Sequence, residues 1–493
     1  MHSLIKESWY EILVTTIYII NFLAIINLIF REKRSIEATV AWVLVLTTAP
    51  AIGCILYIAV GRGISKNNMF KIKEAEDKIL KENIIDTQIK LDRNDNFEPN
   101  LIGYKDMIYA LANSNNSHFT TNNDVEIFPE PNDFFESLLE ELKKAKHHIN
   151  IQFYIFKDDE IGNKIIDILI DKAQNGVEVR LLYDAVGSRL FSDKSIHKLK
   201  KSGVKVGAFF PSFMKVINFN LNYRNHRKIA VIDGNVGFIG GNNIGDEYLG
   251  KDPKFGYWRD THLKITGDSV KDLNIRFILD WRYTTKEDLV LDKYFGNETL
   301  RLSNSKACKD IGIQIVSSGP DSTELDEIKY GYIKMIQKAK KYIYIQTPYF
   351  ILDKTLTDTL KIACFSGVDV RIMIPSKPDH PFVYWASSSY AGELLKYGAK
   401  LYNYDHNAFL HAKTIVVDDC VCSIGTANMD IRSFELNFEI NAFMYSSEVA
   451  KKQRAIFEND ILKSKEITLD MYNSRSRYMR LKESISRLLS PIL

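Results

Sequence analysis

The stretch HRKIAVIDGNVGFIGGNN, from His226 to Asn243, decides how this chain is read, because it occurs twice. The second copy, HAKTIVVDDCVCSIGTAN, runs from His411 to Asn428. Both follow one spacing: His, one residue, Lys, four residues, Asp, six residues, Gly, two residues, Asn. The fixed positions are His226, Lys228, Asp233, Gly240 and Asn243, then His411, Lys413, Asp418, Gly425 and Asn428. At average residue usage, five fixed positions match by accident roughly once per million starts. Two matches in one chain exclude coincidence.

Each copy reads as a β-hairpin. Val231-Ile232 and Val236 to Ile239 flank Asp233-Gly234-Asn235, and Ile415 to Val417 and Val421 to Ile424 flank Asp418-Asp419. Apolar runs around such a turn are the hairpin signal. His and Lys stand two apart, so on a strand both side chains share a face. The Gly after the second strand is expected to let the backbone turn sharply. The Asn beyond it then offers an amide donor to the same spot. The Asp either fixes the turn or touches substrate.

Two such copies supply two imidazoles, two ammonium groups and two amides, a set suited to phosphodiester transfer. One His attacks phosphorus to give a phosphohistidine. The other protonates the leaving alcohol and then activates the incoming one. The Lys and Asn pairs stabilise the equatorial oxygens, so Asn243 and Asn428 are the phosphate-binding candidates. His226, Lys228 and Asp233, with His411, Lys413 and Asp418, are the catalytic candidates. The lysines already neutralise the phosphate, and the histidines lie 185 residues apart, not at a zinc-ligand spacing, so no metal or cofactor is expected. Each His needs an orienting acid. Asp260, 34 residues past His226, and Glu439, 28 past His411, are the candidates, with Glu435 a weaker competitor for the second role.

Outward from the hairpins the pattern is α/β. FFESLLEELKKAKHH reads as an amphipathic helix, INIQFYIF as a strand, Asp159 to Asn175 as a helix and VEVRLLYD as a strand. The order returns in DEIKYGYIKMIQKAKK, YIYIQTPYF, a helix from Leu356 to Ser366, and VDVRIMIP. Whole domains therefore repeat, each ending in one hairpin. Strand-helix-strand order implies parallel strand pairs with helices on the sheet faces.

Two apolar segments, about 12–30 and 38–60, precede this unit; at 1.5 Å per residue they span roughly 28 and 35 Å, each about a bilayer core. Pro50 and Gly53 are expected to bend the second, and Trp9, Tyr10, Trp42 and Tyr57 to anchor at the interfaces. Arg31, Lys33 and Arg34 between the segments are outnumbered by Lys6, Arg62, Lys66, Lys71, Lys73 and Lys78 outside them. That bias puts both ends and the catalytic part in the cytoplasm. Five scattered cysteines (54, 308, 364, 420, 422) fit a reducing compartment, and Cys420-x-Cys422 has no second pair to make a metal site. With 65 Lys and Arg against 62 Asp and Glu, net charge is only +3, which argues against bulk nucleic-acid binding. Phe209 to Tyr223 reads either as a lipid entrance or as internal packing. RYMRLKESISRLLSPIL, basic with apolar residues at helical spacing, either lies on an anionic membrane or docks on the domain.

The paired motifs resemble the phospholipase D superfamily. YIFKDDEIG, RNHRKIAVIDG, YWRDTHLKITG, SSGPD, IYIQTPYFILD, FLHAKTIVVDD and the terminal SPIL narrow the resemblance to bacterial phospholipase D-type cardiolipin synthases. Gln152 stands where that family often has Glu, and Ala408 where it often has Gly. The resemblance implies two pseudo-repeated phospholipase D-type α/β domains packed face to face around a shared active site, after an N-terminal two-helix transmembrane hairpin. The expected boundaries are 1–63 for the hairpin, 64–125 for a charged tether, 126–300 for the first domain and 301–493 for the second, with its basic C-terminal segment. The implied reaction joins two phosphatidylglycerol molecules into cardiolipin and glycerol, with His226 as nucleophile and His411 as general acid, roles that near symmetry leaves reversible. Expected partners are the phospholipid substrates and the bilayer, and no nucleic acid; the expected location is the bacterial cell membrane, crossed more than once. The rival readings are another phospholipase D-type phosphatidyltransferase or phospholipase, a membrane-tethered nuclease, and a membrane scaffold with a dead site.

Overall fold

The structure is a computed structural model that describes residues 2–30, 36–57, 99–115, 117–211, 223–294, 310–320 and 326–490. Among these, two sheets carry the catalytic body. The first has seven strands, in the order Asn123–Phe128, His262–Gly267, Val236–Gly240, Ile229–Ile232, His148–Phe153, Glu178–Asp184, Lys205–Phe209. The second repeats that order with Gly312–Ser318, Asn437–Tyr445, Val421–Gly425, Thr414–Val417, Tyr342–Gln346, Asp369–Ile374 and Lys400–Asn403. It adds Phe119–Thr120 at one edge and Lys465–Ile467 at the other. Within each sheet the three strands joined by helices run parallel, and the hairpin strands run antiparallel.

The hairpin strands are apolar at nearly every position, Thr414 and Ser423 apart, because both faces are covered. Ile229 and Val231 enter the core between the two sheets, while Ala230 and Ile232 enter the core under the outer helices of the first. In the second hairpin Val416 points inward and Ile415 and Val417 outward. The shared inner core joins Val231, Leu263 and Leu273 to Val416, Ile424 and Ala442, so the sheets pack face to face. Continuous burial of this kind is what a sheet covered on both sides requires.

The tether reading of 64–125 fails over its last part. Residues Lys105–Asn115 form a helix whose Met107, Ile108 and Leu111 are fully buried against the second domain. Phe119–Thr120 then pairs with Gly312–Ser318, and Gln314 Nε2 donates to the Ile108 carbonyl at 3.1 Å. Four apolar side chains at helical spacing (Tyr104, Met107, Ile108, Leu111) outweigh the charge that suggested a solvated linker. The rest of that expectation, residues 64–98, lies outside the described residues, as do residues 212–222 of the suggested lipid entrance.

At the N-terminus, His2–Phe30 is one helix, of which Trp9–Phe30 is long and apolar enough to cross a membrane (mean hydropathy 2.3). The second apolar segment is not continuous: Ile36–Thr48 stops at Ala49, and Pro50–Leu56 follows. Pro50 has no N–H for the Leu46 carbonyl. Asn21 of the first helix supplies the missing donor, its Nδ2 reaching Leu46 O at 3.1 Å and Pro50 O at 3.0 Å. Trp42 and Tyr57 are buried against Ala24 and Leu28, edge to face at 5.6 Å, so they are packing residues rather than the interfacial anchors expected; Trp9 and Tyr10 are exposed.

Candidate active site

Two short parallel pairings stitch the domains together, and both end at the site. Arg224-Asn225 pairs with Asn437-Phe438, and Ala408–Leu410 pairs with Tyr257–Arg259. The residue after each pairing is a histidine on one side and a carboxylate on the other. The hydrogen-bond pattern continues through that step: His226 N donates to Phe438 O at 2.9 Å, and His411 N to Arg259 O at 2.7 Å.

The carboxylates therefore cross over. Sequence order attached Asp260 to His226 and Glu439 to His411. In the structure His226 Nδ1 lies 2.9 Å from Glu439 Oε2, and His411 Nδ1 lies 2.6 Å from Asp260 Oδ2. The correction has a physical cause. Within a half, the strand that contains the acid (Glu439) or follows it (Asp260) pairs with the hairpin's second strand, but the residues just before the acid pair with the strand before the other half's histidine. An ionised carboxylate only accepts, so each imidazole must donate from Nδ1 and present Nε2 as the free base. Glu435, the weaker competitor, is exposed at the end of a short helix.

Two lysines complete the centre. Lys228 Nζ donates to His226 O at 2.7 Å; Lys413 Nζ donates to His411 O and stands 2.7 Å from His411 Nδ1. Lys228 is fully buried and Lys413 nearly so. Burial pushes Lys413 down to about 8 and Lys228 well below the usual lysine range. It also pushes both imidazoles, His226 and His411, down to about 4, against the pull of Glu439 on His226 and of Asp260 on His411. Burial alone would raise the two acids. The charges of Lys413 and His411 outweigh it at Asp260, and those of His226 and Lys228 do so at Glu439, so both stay below the ordinary carboxylate range. The result is a dry cluster of two neutral imidazoles, two anions and two lysines built to receive negative charge.

Asp233 and Asp418 do not join it. Each occupies the hairpin turn with positive φ (54° and 55°) and accepts from three successive backbone amides: Lys146, His147 and His148 for Asp233, and Lys340, Lys341 and Tyr342 for Asp418. They fix the start of the neighbouring strand at the end of the hairpin away from the histidines. Gly240 and Gly425 serve close approach, not the expected sharp turn. A Cβ at Gly240 would meet His262 Cα at 2.5 Å, and one at Gly425 would meet Ile440 O at 2.4 Å. Asn243 and Asn428 are buried on the loops after the hairpins. Asn243 donates to Tyr248 Oη and Asn428 to Ser433 Oγ, both at 3.2 Å; among the described residues the second N–H of each amide is unused.

The motif spacing missed two buried arginine clamps. Arg227 binds Asp280 through Nη1 at 2.7 and 2.8 Å and reaches Glu439 O through Nε at 3.1 Å. Arg259 binds Asp460 through Nε at 2.9 and 3.2 Å and donates to Asp260 O. Gln152 holds Asp280 and Gln346 holds Asp460, each at 2.8 Å. Each clamp thus fixes the backbone of one histidine-paired carboxylate, Glu439 or Asp260. Their only trace in the sequence is an acid inside an apolar helix segment, in FILDW and in IFENDIL. Tyr154, edge-on to His226 at 4.9 Å, and Trp258, 5.1 Å from His411, line the two imidazoles. Among the described residues no group of three or more His, Cys, Asp or Glu side chains is disposed to hold a metal ion.

Residues 138–253 and 332–461 match the family model described as cardiolipin synthase, phospholipase D-like domain. Residues 19–62 match the phospholipase D-nuclease N-terminal model. The chain is 48% identical to a cardiolipin synthase of Oceanobacillus iheyensis over 97% of this chain and 98% of that one. It is also 48% identical to the major cardiolipin synthase of Bacillus subtilis, over 98% and 99%. Among solved structures, a phosphatidylserine synthase of Haemophilus influenzae superposes with a TM-score of 0.59 at 17% identity, covering 79% of this chain and all of that one, a likeness of fold.

Proposed function

The chain belongs to the family of cardiolipin synthases with phospholipase D-like domains, and we propose that His226 and His411 carry its reaction as a nucleophile and acid–base pair. The protein is an enzyme that transfers a phosphatidyl group between phospholipids to make cardiolipin. The donor and acceptor in this proposal are both phosphatidylglycerol.

Nε2 of one histidine attacks the donor phosphorus. The bond from phosphorus to the head-group oxygen breaks, and glycerol leaves with a proton taken from the other imidazolium. The phosphatidyl group now rides on Nε2. The terminal hydroxyl of a second phosphatidylglycerol gives its proton to the second imidazole and attacks phosphorus, and the N–P bond breaks. A phosphodiester between the rings supplies the negative charge that returns the second imidazole to its protonated form. Lys228, Lys413, Asn243 and Asn428 stabilise the equatorial oxygens. Following the motif order, His226 is assigned the attack and His411 the proton.

The observation that carries this reading is the pair of crossed contacts, His226 with Glu439 and His411 with Asp260, which orient both rings with Nε2 free. Burial of the cluster also keeps water, the competing acceptor, scarce. The two apolar segments are proposed to cross the membrane as a hairpin, with the larger basic count on the cytoplasmic side.

The test is a product assay in vesicles of labelled phosphatidylglycerol. Cardiolipin with equimolar glycerol, abolished in His226→Ala and in His411→Ala, is the expected result. Phosphatidic acid as the sole product would replace the acceptor lipid with water and overturn the transferase step.

A further inference from the structure

The helix Arg477–Leu489 is docked inside out. It packs on the helix Pro381–Leu394, and the residues it buries there are Glu483 and Ser486, followed by Ser490 just past its end. The contacts with that helix are polar: Arg487 Nη2 to Glu393 at 2.6 Å and Ser490 Oγ with Tyr390 Oη at 3.0 Å; the buried Glu483 is paired with Arg475, just before its own helix, at 3.0 Å. Lys482 Nζ lies over the Trp385 ring at 4.6 Å. Met479 and Leu489 are half-buried, but the other four apolar residues point the other way. Tyr478 is 66% exposed, Leu481 56%, Ile485 44% and Leu488 70%. At about 100° per residue these four fall within an arc of roughly 80°. An amphipathic helix on a globular domain normally buries its apolar stripe and shows its charges. Here the domain takes the polar side and leaves the stripe outside, with Arg477 and Arg480 exposed along its flank.

We propose that this outward stripe is a membrane-docking surface: Tyr478, Leu481, Ile485 and Leu488 enter the interfacial layer of an anionic bilayer while Arg477 and Arg480 meet its phosphates. Three observations select a bilayer as the occupant. The same chain carries a helix, Trp9–Phe30, of membrane-crossing length and hydropathy, so the body is held beside a bilayer. An apolar stripe with arginines on its flank matches the layered chemistry of an anionic lipid surface. The platform helix begins two residues after Asp379, whose carboxylate takes a hydrogen bond from Tyr349 and whose charge acts on Lys413. The docked face is therefore one helix away from the catalytic cluster, and seating it on the membrane brings the cluster to the lipid. The proposal rests on lipid being the substrate but not on which lipid product forms.

The test uses the full chain, in a background where the native cysteines are replaced and cardiolipin synthesis is retained. It is reconstituted in vesicles of equal parts phosphatidylglycerol and phosphatidylcholine. Nitroxides are attached at Leu481→Cys and Leu488→Cys, and at Glu140→Cys on an exposed face of the first domain as control. Collision rates are measured with oxygen, which concentrates in lipid, and with a water-soluble nickel chelate. Leu481 and Leu488 are expected to favour oxygen over nickel at least about fivefold more than Glu140, as an interfacial helix does. Equal ratios at all three sites would overturn the proposal. So would exclusion of both reagents with spin–spin broadening, which would mean that a second copy of the chain covers the stripe. The double variant Leu481→Glu with Leu488→Glu is expected to lose activity several-fold on vesicles and none on detergent-dispersed lipid. These spectra report docking whether or not cardiolipin is made, so failure of the docking and failure of the reaction are separable.

Discussion

Replacing Glu439 by Gln removes the charge behind His226 while keeping side-chain size. Nδ1 and Oε2 are 2.9 Å apart, so the charge centres of a protonated ring and the carboxylate stand about 4 Å apart; at an effective dielectric of about 20 their attraction is about 4 kcal/mol. That equals about three pKa units of imidazolium stability. If half of the positive charge on the ring has developed in the transition state, the loss is about 30-fold; if all of it has, about 1,000-fold. The amide can also turn its NH2 toward Nδ1 and favour the tautomer that protonates Nε2, the wrong one for attack. Cardiolipin formation by Glu439→Gln in phosphatidylglycerol vesicles should therefore fall between these bounds, with the apparent affinity for lipid little changed. Nitrogen-15 spectra of histidine-labelled protein should show the tautomer shift at His226 and not at His411, although Glu439 follows His411 in the same half. Asp260→Asn should give the mirror result. A Glu439→Gln enzyme within about threefold of the parent rate, or a tautomer change at His411 instead, would refute the crossed arrangement.

Four further outcomes follow from the same geometry. The lysine pair must be charged to hold a phosphodiester, and Lys413 loses its proton at about 8, so kcat/KM should decline as pH rises through that value while kcat, with an anion already bound beside the lysine, declines at higher pH. Asp280→Ala and Asp460→Ala each strand a buried arginine and should each remove about 3–5 kcal/mol of stability, read as a fall in denaturant midpoint. Asp233→Ala should lower stability by about 2–3 kcal/mol, since three backbone amides lose their acceptor, yet the folded fraction should keep most of its turnover, because Asp233 touches no imidazole. Asn21→Leu removes the donor that satisfies the Leu46 carbonyl at the Pro50 break; it should lower the thermal midpoint in detergent, by about 1–2 kcal/mol of helix-pair stability, without changing the catalytic body.

The repeated motif made the two-domain α/β plan and most of the site legible before any coordinates. Residues two apart on a strand share a face, and His226 and Lys228 do lie together, as do His411 and Lys413. What the sequence could not display is which edge of one domain meets which edge of the other. Asp260 and Glu439 were found as residues, but attached to the wrong rings, because chain order carries no record of the parallel pairings at Arg224-Asn225 and Ala408–Leu410. Arg227 was not singled out by the motif spacing, yet it is buried at the site; its partner Asp280 comes from a helix 53 residues on. Asp233 and Asp418 gained catalytic standing from their place in the motif, whereas their positive φ and amide contacts are those of a turn. The helix at Lys105–Asn115 was hidden by its charged outer face. In the C-terminal helix the amphipathic pattern was legible, but not that its polar side would be the one to dock.

The crossed carboxylates make each half of this chain the custodian of the other's chemistry. Neither half owns a complete imidazole pair, so a single repeat on its own would have a histidine without its acid and an acid without its histidine. The unit that inheritance can copy, one repeat, is smaller than the unit that can work. A lone repeat would have to meet a second copy of itself, edge to edge, before any bond to phosphorus could form. Joining the two in one polypeptide removes that encounter from the kinetics and frees the halves to differ: Arg224 faces the stitch on one side, Phe409 on the other. Damage at either seam therefore reaches a residue of the other half.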